Sequence, residues 1–325
     1  MQNKLPTNNL WSTHSTLISF YISYNFSINM DNNSMSGYIY LSLCIVLWAS
    51  IPVVSKKILV EIDNLQMLFY STIFSLLVLG FVLVAQKKHR IMSKYSGKDY
   101  FIMAFLGFLG TYLYYVLLYG AFELTTAQEG FIIAYTWPIL VLLLSFIILK
   151  EKITPRKILA VVISFFGIII VFTQGKIFSL SFTNLIGDIL AFLGAFVFAL
   201  FSILGKKYNF DKTISTFIYF LSALICAAIT VSLFSTLKIP SLATWIWLLY
   251  NGIFVNGITY VWWFQALEKV DTHIVSTVLY LTPFISLIYI WLFLQEKILL
   301  SSVIGLVIIV IGILIQSQSS KSSTA

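Results

Sequence analysis

Charge is the scarcest property of this chain of 325 residues, with Asp, Glu, Lys and Arg together making up 10% of it. A soluble globule of that length needs far more polar side chains to cover its surface, so a water-soluble fold is excluded. Cysteine is nearly absent, and both copies, Cys44 and Cys226, fall inside apolar stretches. That excludes a disulfide framework and a CxxC metal site, and leaves the redox compartment unreadable. The histidines, His14, His89 and His273, sit in the tail or at loops and span ends. No Ser-His-Asp arrangement, HExxH, Walker sequence or pair of mid-span carboxylates is present. Catalysis therefore has no visible machinery, neither a metal nor a cofactor is expected, and ATP-driven pumping would need a separate subunit.

Apolar residues are abundant, at 59%, with aromatics alone at 17%. They come in runs of about twenty, the length a helix needs to cross a hydrocarbon core of about 30 Å. Short alternating segments of the kind that build a membrane barrel are missing. The expected fold is an all-α integral membrane protein of ten spans. The spans are placed at Gly37 to Ser55, Leu65 to Ala85, Tyr100 to Ala121, Ala127 to Leu149, Lys157 to Phe172, Asn184 to Leu204, Ile214 to Phe234, Leu242 to Ala266, Thr272 to Leu294 and Leu300 to Ile315. Residues 1–36, rich in Asn, Ser and Tyr, read as a poorly ordered extension or an over-extended start, with Met30 or Met35 as the true first residue. A signal peptide fits them poorly, because no small-residue cleavage site follows. Residues 317–325 read as a polar tail.

A net charge of +8 could suggest nucleic acid, but the cations sit in short segments between spans and act there as topology signals. With a cytoplasmic amino terminus, the inner loops hold Lys87, Lys88, Arg90, Lys94, Lys98, Lys150, Lys152, Arg156, Lys157, Lys206, Lys207, Lys212 and Lys269. The outer loops then hold Lys56, Lys57, Lys176, Lys238 and Lys297. Both termini are expected in the cytoplasm, in an inner or plasma membrane.

The two halves repeat each other. AYTWPILVLLLSFIILKEKI surrounds Pro138 and VLYLTPFISLIYIWLFLQEKI surrounds Pro283. In the same register Gly107 meets Gly252, Tyr115 meets Tyr260, Ala121 meets Ala266, Glu123 meets Glu268, Tyr135 meets Tyr280, and Glu151-Lys152-Ile153 meets Glu296-Lys297-Ile298. A slightly larger offset pairs Gly37 with Gly187, and Lys56-Lys57 with Lys206-Lys207. The repeats run over 37–173 and 184–316 with five helices each. Because five is odd, the second enters the membrane from the opposite side, giving an inverted repeat. Interrupted helices in matching places of two such halves point to a binding site near the bilayer midplane.

LWASIPVVSKK in span one, the TWP segment followed by KEKI, LAFLGAFVFALFSILGKKY, and the LTP segment followed by QEKI resemble the drug/metabolite transporter superfamily in its EamA branch of ten-helix carriers. The resemblance covers Gly37 to Gln316, and QEGFIIAYTWP and ILAFLGAFVFALFSILGKKY look closest to the branch that exports aromatic amino acids. It implies a central cavity between the halves, lined by spans one, three, four, six, eight and nine. Two places depart from the branch: LTPF lacks a preceding tryptophan, and Phe198 stands where span six often carries one.

Pro138 and Pro283 leave the carbonyls of Ala134 and Leu279 without their helical amide partners. Each proline is either a hinge beside a polar spot on the transport path or a plain packing kink. The candidate cavity residues are Trp48, Thr111, Tyr112, Tyr135, Trp137, Asn256 and Tyr280. Thr111 and Asn256 are repeat partners, and a mid-span amide must find a partner in substrate or in a neighbouring helix. The aromatic faces suit a cation or an aromatic side chain, although many must serve packing. Trp48 faces either the cavity or lipid. Glu129 and Asp188 each open a helix, where complementing the helix dipole is the simpler role and proton coupling the alternative.

These features together lead to a secondary carrier that moves small amphiphilic metabolites, most plausibly exported amino acids, by alternating access, driven by the solute gradient or by protons. Uptake of a nucleotide-like or cofactor metabolite is the rival within transport. A non-transporting membrane scaffold is the rival outside it.

Overall fold

Six helix starts carry a side chain that accepts the orphan amide hydrogens of the first turn. In the computed structural model, which describes residues 32–150, 154–176, 184–270, 275 and 278–319, these residues act as caps. Asp63 accepts from Gln66 N, Thr126 from Glu129 N, Asn184 from Gly187 N and Ser241 from Thr244 N. Ser96 and Asp99 form a reciprocal capping box, and Asp211 accepts from Thr213 N and Ile214 N.

The helices are α1 (Asn32–Ala49), α2 (Ile51–Leu59), α3 (Asn64–Ala85), α4 (Gly97–Gly107), α5 (Tyr114–Leu124), α6 (Ala127–Ala134), α7 (Trp137–Ile148), α8 (Pro155–Phe172), α9 (Leu185–Gly205), α10 (Lys212–Phe234), α11 (Leu242–Leu249), α12 (Thr259–Lys269), α13 (Thr282–Tyr289) and α14 (Leu300–Ser319). The π-helical stretch Phe108–Leu113 joins α4 to α5, Tyr250–Ile258 joins α11 to α12, and Ile290–Leu294 follows α13. Among the described residues, 6 helices are long and apolar enough to cross a membrane, and Ile158–Val171, Thr282–Leu294 and Leu300–Ile315 are shorter apolar helices.

Span boundaries read from hydropathy agree with the helices to within a few residues. The largest difference is in span one, which runs from Met35 to Leu59 and so takes Lys56 and Lys57 into its last turn rather than into a loop. Lys56 can stay there because its ammonium donates to the carbonyl of Thr125 at 2.7 Å. The register points at Glu151, Lys152 and Ile153, the start of span nine at Thr272, His14 and His273, residues 1–31 and the end of the polar tail lie outside the described residues.

Packing obeys the repeat. Helix α9 lies on α5 as α12 lies on α1, α9 meets α7 as α1 meets α13, and α10 crosses the Phe108–Leu113 stretch as α3 crosses the Tyr250–Ile258 stretch. The pairs α3 with α10 and α8 with α14 map onto themselves under the same exchange. Two glycines show why these crossings are close. A Cβ on Gly107 would sit 2.5 Å from Tyr219 Cα, and one on its repeat partner Gly252 would sit 2.5 Å from the Ser71 carbonyl oxygen.

The helix ends fall into two sets. One, here the basic end, carries residues 86–98 and 206–212, with Lys88 paired to Asp211 at 2.9 Å and Lys269 donating to Ser36 Oγ at 2.9 Å. The other, the capped end, is tied by polar contacts between the halves. Glu61 accepts from Ser241 and Thr244, Asp63 accepts from Ser235 and Gln66, and Gln66 accepts from Lys238 N at 2.9 Å. Partial burial pushes the Asp63 carboxyl up, but the bonds from Ser235 and Gln66 outweigh it and hold the group below the ordinary carboxylate range. A group depressed on folding stabilises the fold above its unfolded pKa and loses that contribution as pH falls through its folded one. Asp63→Ala should therefore destabilise the protein by about 1 kcal/mol at neutral pH, the usual cost of a lost cap, with the difference fading as the medium becomes acidic. Thermal unfolding in detergent across pH checks this, and a pH-independent difference would refute it.

Candidate functional site

Prolines in α7 and α13 set the site's geometry. Pro138 occupies the first turn of α7 and Pro283 that of α13, so the chain breaks its helix at Tyr135 and Thr136 in one half and around Leu281 in the other. The Leu279 carbonyl freed by Pro283 accepts from Thr282 Oγ1 at 2.7 Å and, at the long distance of 3.5 Å, from the Tyr135 hydroxyl of the other half. Both breaks thus meet at one place, as their matched positions require.

Beside that meeting point lies a cavity of about 320 Å³. Trp48, Tyr114, Tyr135, Trp137, Phe198, Tyr260 and Trp263 form much of its wall. The rings pack edge to face or tilted: Trp137 on Phe198 at 5.2 Å, Trp48 on Trp263 at 5.2 Å and on Tyr260 at 6.2 Å. Ser202, Gly205, Ser215 and Lys212 carry the wall toward the basic end, and Lys212 is the one charged side chain among the described lining residues. A second space of about 230 Å³ shares Lys212, Thr216, Tyr260 and Phe264 with the first and continues to Gln86, Lys88 and Glu268. The aromatic chamber therefore communicates with the basic end. Toward the capped end, Ser50 Oγ meets the Tyr250 hydroxyl at 3.1 Å and Lys56 is held on Thr125.

Of the residues singled out in the sequence, Trp48, Tyr135 and Trp137 line this chamber. Thr111, Tyr112, Asn256 and Tyr280 do not. Thr111 is buried and turns its hydroxyl back onto the Gly107 carbonyl at 2.8 Å. Tyr112 stacks near Phe108, 5.5 Å away, inside the apolar cluster that holds α2, α3 and α5 together. Tyr280 packs with the cluster built from α6, α7, α8 and α14. Asn256 finds its partner in protein: its amide and that of Asn251 both donate to the Tyr119 hydroxyl, at 3.2 and 3.1 Å, and Asn251 also donates to Ser71 Oγ at 3.0 Å. Asn256 therefore ties the π stretch before α12 to α5, and Asn251 ties it to α5 and α3, instead of facing the chamber.

Among the chamber residues that the sequence did not single out are Tyr114, and Tyr219, Ser215 and Lys212 of α10, a helix outside the six expected to line it. The miss on α5 has a physical cause. The π stretch Phe108–Leu113 ends with Tyr114 N bonded five residues back to Leu109 O, and this extra residue per turn rotates everything after it. Tyr114 and Tyr115 are turned to the chamber, and Tyr112 away from it.

Similar proteins agree with this architecture. An "uncharacterized transporter" of Archaeoglobus fulgidus is 28% identical over 280 residues, which cover 84% of this chain and 94% of that protein. One from Clostridium kluyveri is 27% identical over 300 residues, covering 88% and 94%. A protein known by its crystal structure superposes with a TM-score of 0.63 at 16% identity, covering 91% of this chain and all of that one, which shows a shared fold. Residues 35–173 and 185–318 each match the EamA-like transporter family, to which this chain therefore belongs.

Proposed function

We propose that the chain is a ten-span secondary carrier that moves small amphiphilic solutes, foremost amino acids outward, by alternating access around the aromatic chamber. The observation that carries this reading is the chamber itself: about 320 Å³ between the two repeats, ringed by Tyr and Trp, with Lys212 at its mouth. That volume suits a small metabolite rather than a macromolecule. Ring faces suit the apolar or aromatic part of such a solute, and the Lys212 ammonium suits its carboxylate. The concentration of Lys and Arg at the basic end supports a cytoplasmic position for that end and both termini, with the chamber facing inward. Pro138 and Pro283 serve as the hinges, since each replaces a rigid helical turn where the halves meet. Opening the capped end requires the contacts of Glu61, Asp63 and Lys56 to exchange for others.

Counterflow into proteoliposomes tests the proposal with a panel of labelled amino acids, one nucleotide-like and one cationic compound. Saturable exchange of an amino acid is the expected result. Exchange of the nucleotide-like compound alone would keep the carrier and overturn its substrate, and no exchange by folded protein would favour the scaffold.

A further inference from the structure

At the capped end, two acidic side chains are buried beside one hydroxyl. Glu129 is 1% exposed and Asp188 is fully buried. Thr125 Oγ1 lies 3.1 Å from Glu129 Oε2 and 2.9 Å from Asp188 Oδ1. Glu129 Oε1 also accepts from Gln174 Nε2 at 2.8 Å, while Asp188 Oδ2 is buried with no hydrogen-bond partner.

Thr125 cannot donate to both carboxylates at once. A threonine hydroxyl has one hydrogen to donate, so it can satisfy one of the two acids. If both were ionised, the other oxygen pair would face each other with nothing between them. An unpartnered carboxylate oxygen would then also be buried, and two like charges would share one hydroxyl. A single added proton resolves all three. Placed on Asp188 Oδ1, it is donated to Thr125 Oγ1, whose own hydrogen goes to Glu129, and Asp188 Oδ2 becomes a neutral carbonyl oxygen.

The surrounding charges leave room for that proton. Lys56 points its ammonium at the Thr125 carbonyl oxygen and faces Glu296, whose Oε1 accepts from Ala127 N at 3.1 Å. Glu123 and Lys176, at the ends of α5 and after α8, are exposed. Lys56 is therefore engaged by Glu296 and the Thr125 carbonyl. Close packing keeps water out, since a Cβ on Gly187 would lie 2.8 Å from Thr125 N and Cβ.

We propose that Thr125, Glu129 and Asp188 form a proton-binding site whose proton is held on Asp188 while the capped end is closed. Opening that end separates the start of α9 from residues 125–129 and admits water, so the proton exchanges with bulk water only in that state. Closure and protonation are thereby linked. Uptake and release of the proton both occur at the capped end, so the site ties closure of that end to the pH outside it and stands independently of which solute is moved.

Infrared spectra of purified protein in lipid, recorded against pH, test this without any transport assay. The wild type should show the C=O stretch of a protonated carboxyl at neutral pH that disappears in alkali. Protein carrying carboxyl-labelled aspartate should shift that band, assigning it to Asp. Asp188→Asn should abolish it, and Glu129→Gln should leave it while the unpartnered acid ionises at lower pH. No protonated-carboxyl band at neutral pH, or one that ignores the aspartate label, would overturn the proposal. Those two arms need only the wild type, so they decide the matter even if Asp188→Asn fails to fold.

Discussion

Trp137→Ala should reduce solute exchange by up to about tenfold while leaving a folded protein. The indole stands on the chamber wall against Phe198, at the first turn after the Tyr135–Thr136 break. Truncation removes a ring face of about 0.5–1.5 kcal/mol in contact energy from whatever solute fills the space. It also widens the chamber where the two broken helices meet. The side chain is half-buried, so its loss costs the fold less than a core cavity would. Tyr112→Phe is the matched control, because Tyr112 packs in an apolar cluster and does not line the chamber. Counterflow rates and thermal unfolding, measured together on both variants, check the prediction. Equal loss of exchange in both, or unfolding of the Trp137 variant, would remove the chamber's claim.

The largest structural effect is expected at Gly107 and Gly252. A side chain at Gly107 would press on Tyr219 Cα and its carbonyl oxygen, 2.5 and 2.7 Å from the new carbon, and one at Gly252 on the Ser71 carbonyl oxygen. Both obstacles are backbone, which cannot rotate aside as a side chain can. Overpacking a tight interior site costs about 1–3 kcal/mol, and here whole helices would have to separate. Gly107→Val and Gly252→Val should each lower the yield of folded protein and its unfolding temperature by similar amounts, since they are the same crossing in two copies. Gly97→Ala, with nothing within 4 Å of the added carbon, should be close to neutral. A large difference between the two valine variants would show that the repeats do not share the load.

How far the sequence carries differs between fold and site. The duplicated TWP and LTP segments and the matched glycines made the inverted repeat legible, because helix crossings and proline breaks are written locally in residue type. Trp137 and Tyr135 were legible for the same reason, one adjoining Pro138 and the other three residues before it. Beyond that the site depends on rotation about helix axes. The π stretch in the third span changes which tyrosine faces inward, and no residue type announces it. Asn256 follows the rule that a buried amide needs a partner, but its partner is Tyr119 and not a solute. Lys212 looked like one more basic loop residue, and only the placement of α10 brings it to the chamber mouth. Glu129 and Asp188, 59 positions apart (188 − 129), each lie in the first turn of a helix as the sequence suggests, and their convergence on Thr125 belongs to tertiary structure.

The central claim is that solute occupies the aromatic chamber and reaches it from the basic end. The direct test is labelling of a single thiol at Ser202, on the chamber wall, in protein whose Cys44 and Cys226 are replaced. A membrane-impermeant maleimide should react with Ser202→Cys from the cytoplasmic side, and a transported solute should slow that reaction in proportion to its occupancy. Reaction from the opposite side alone, or a rate that no transported solute changes, would contradict the account.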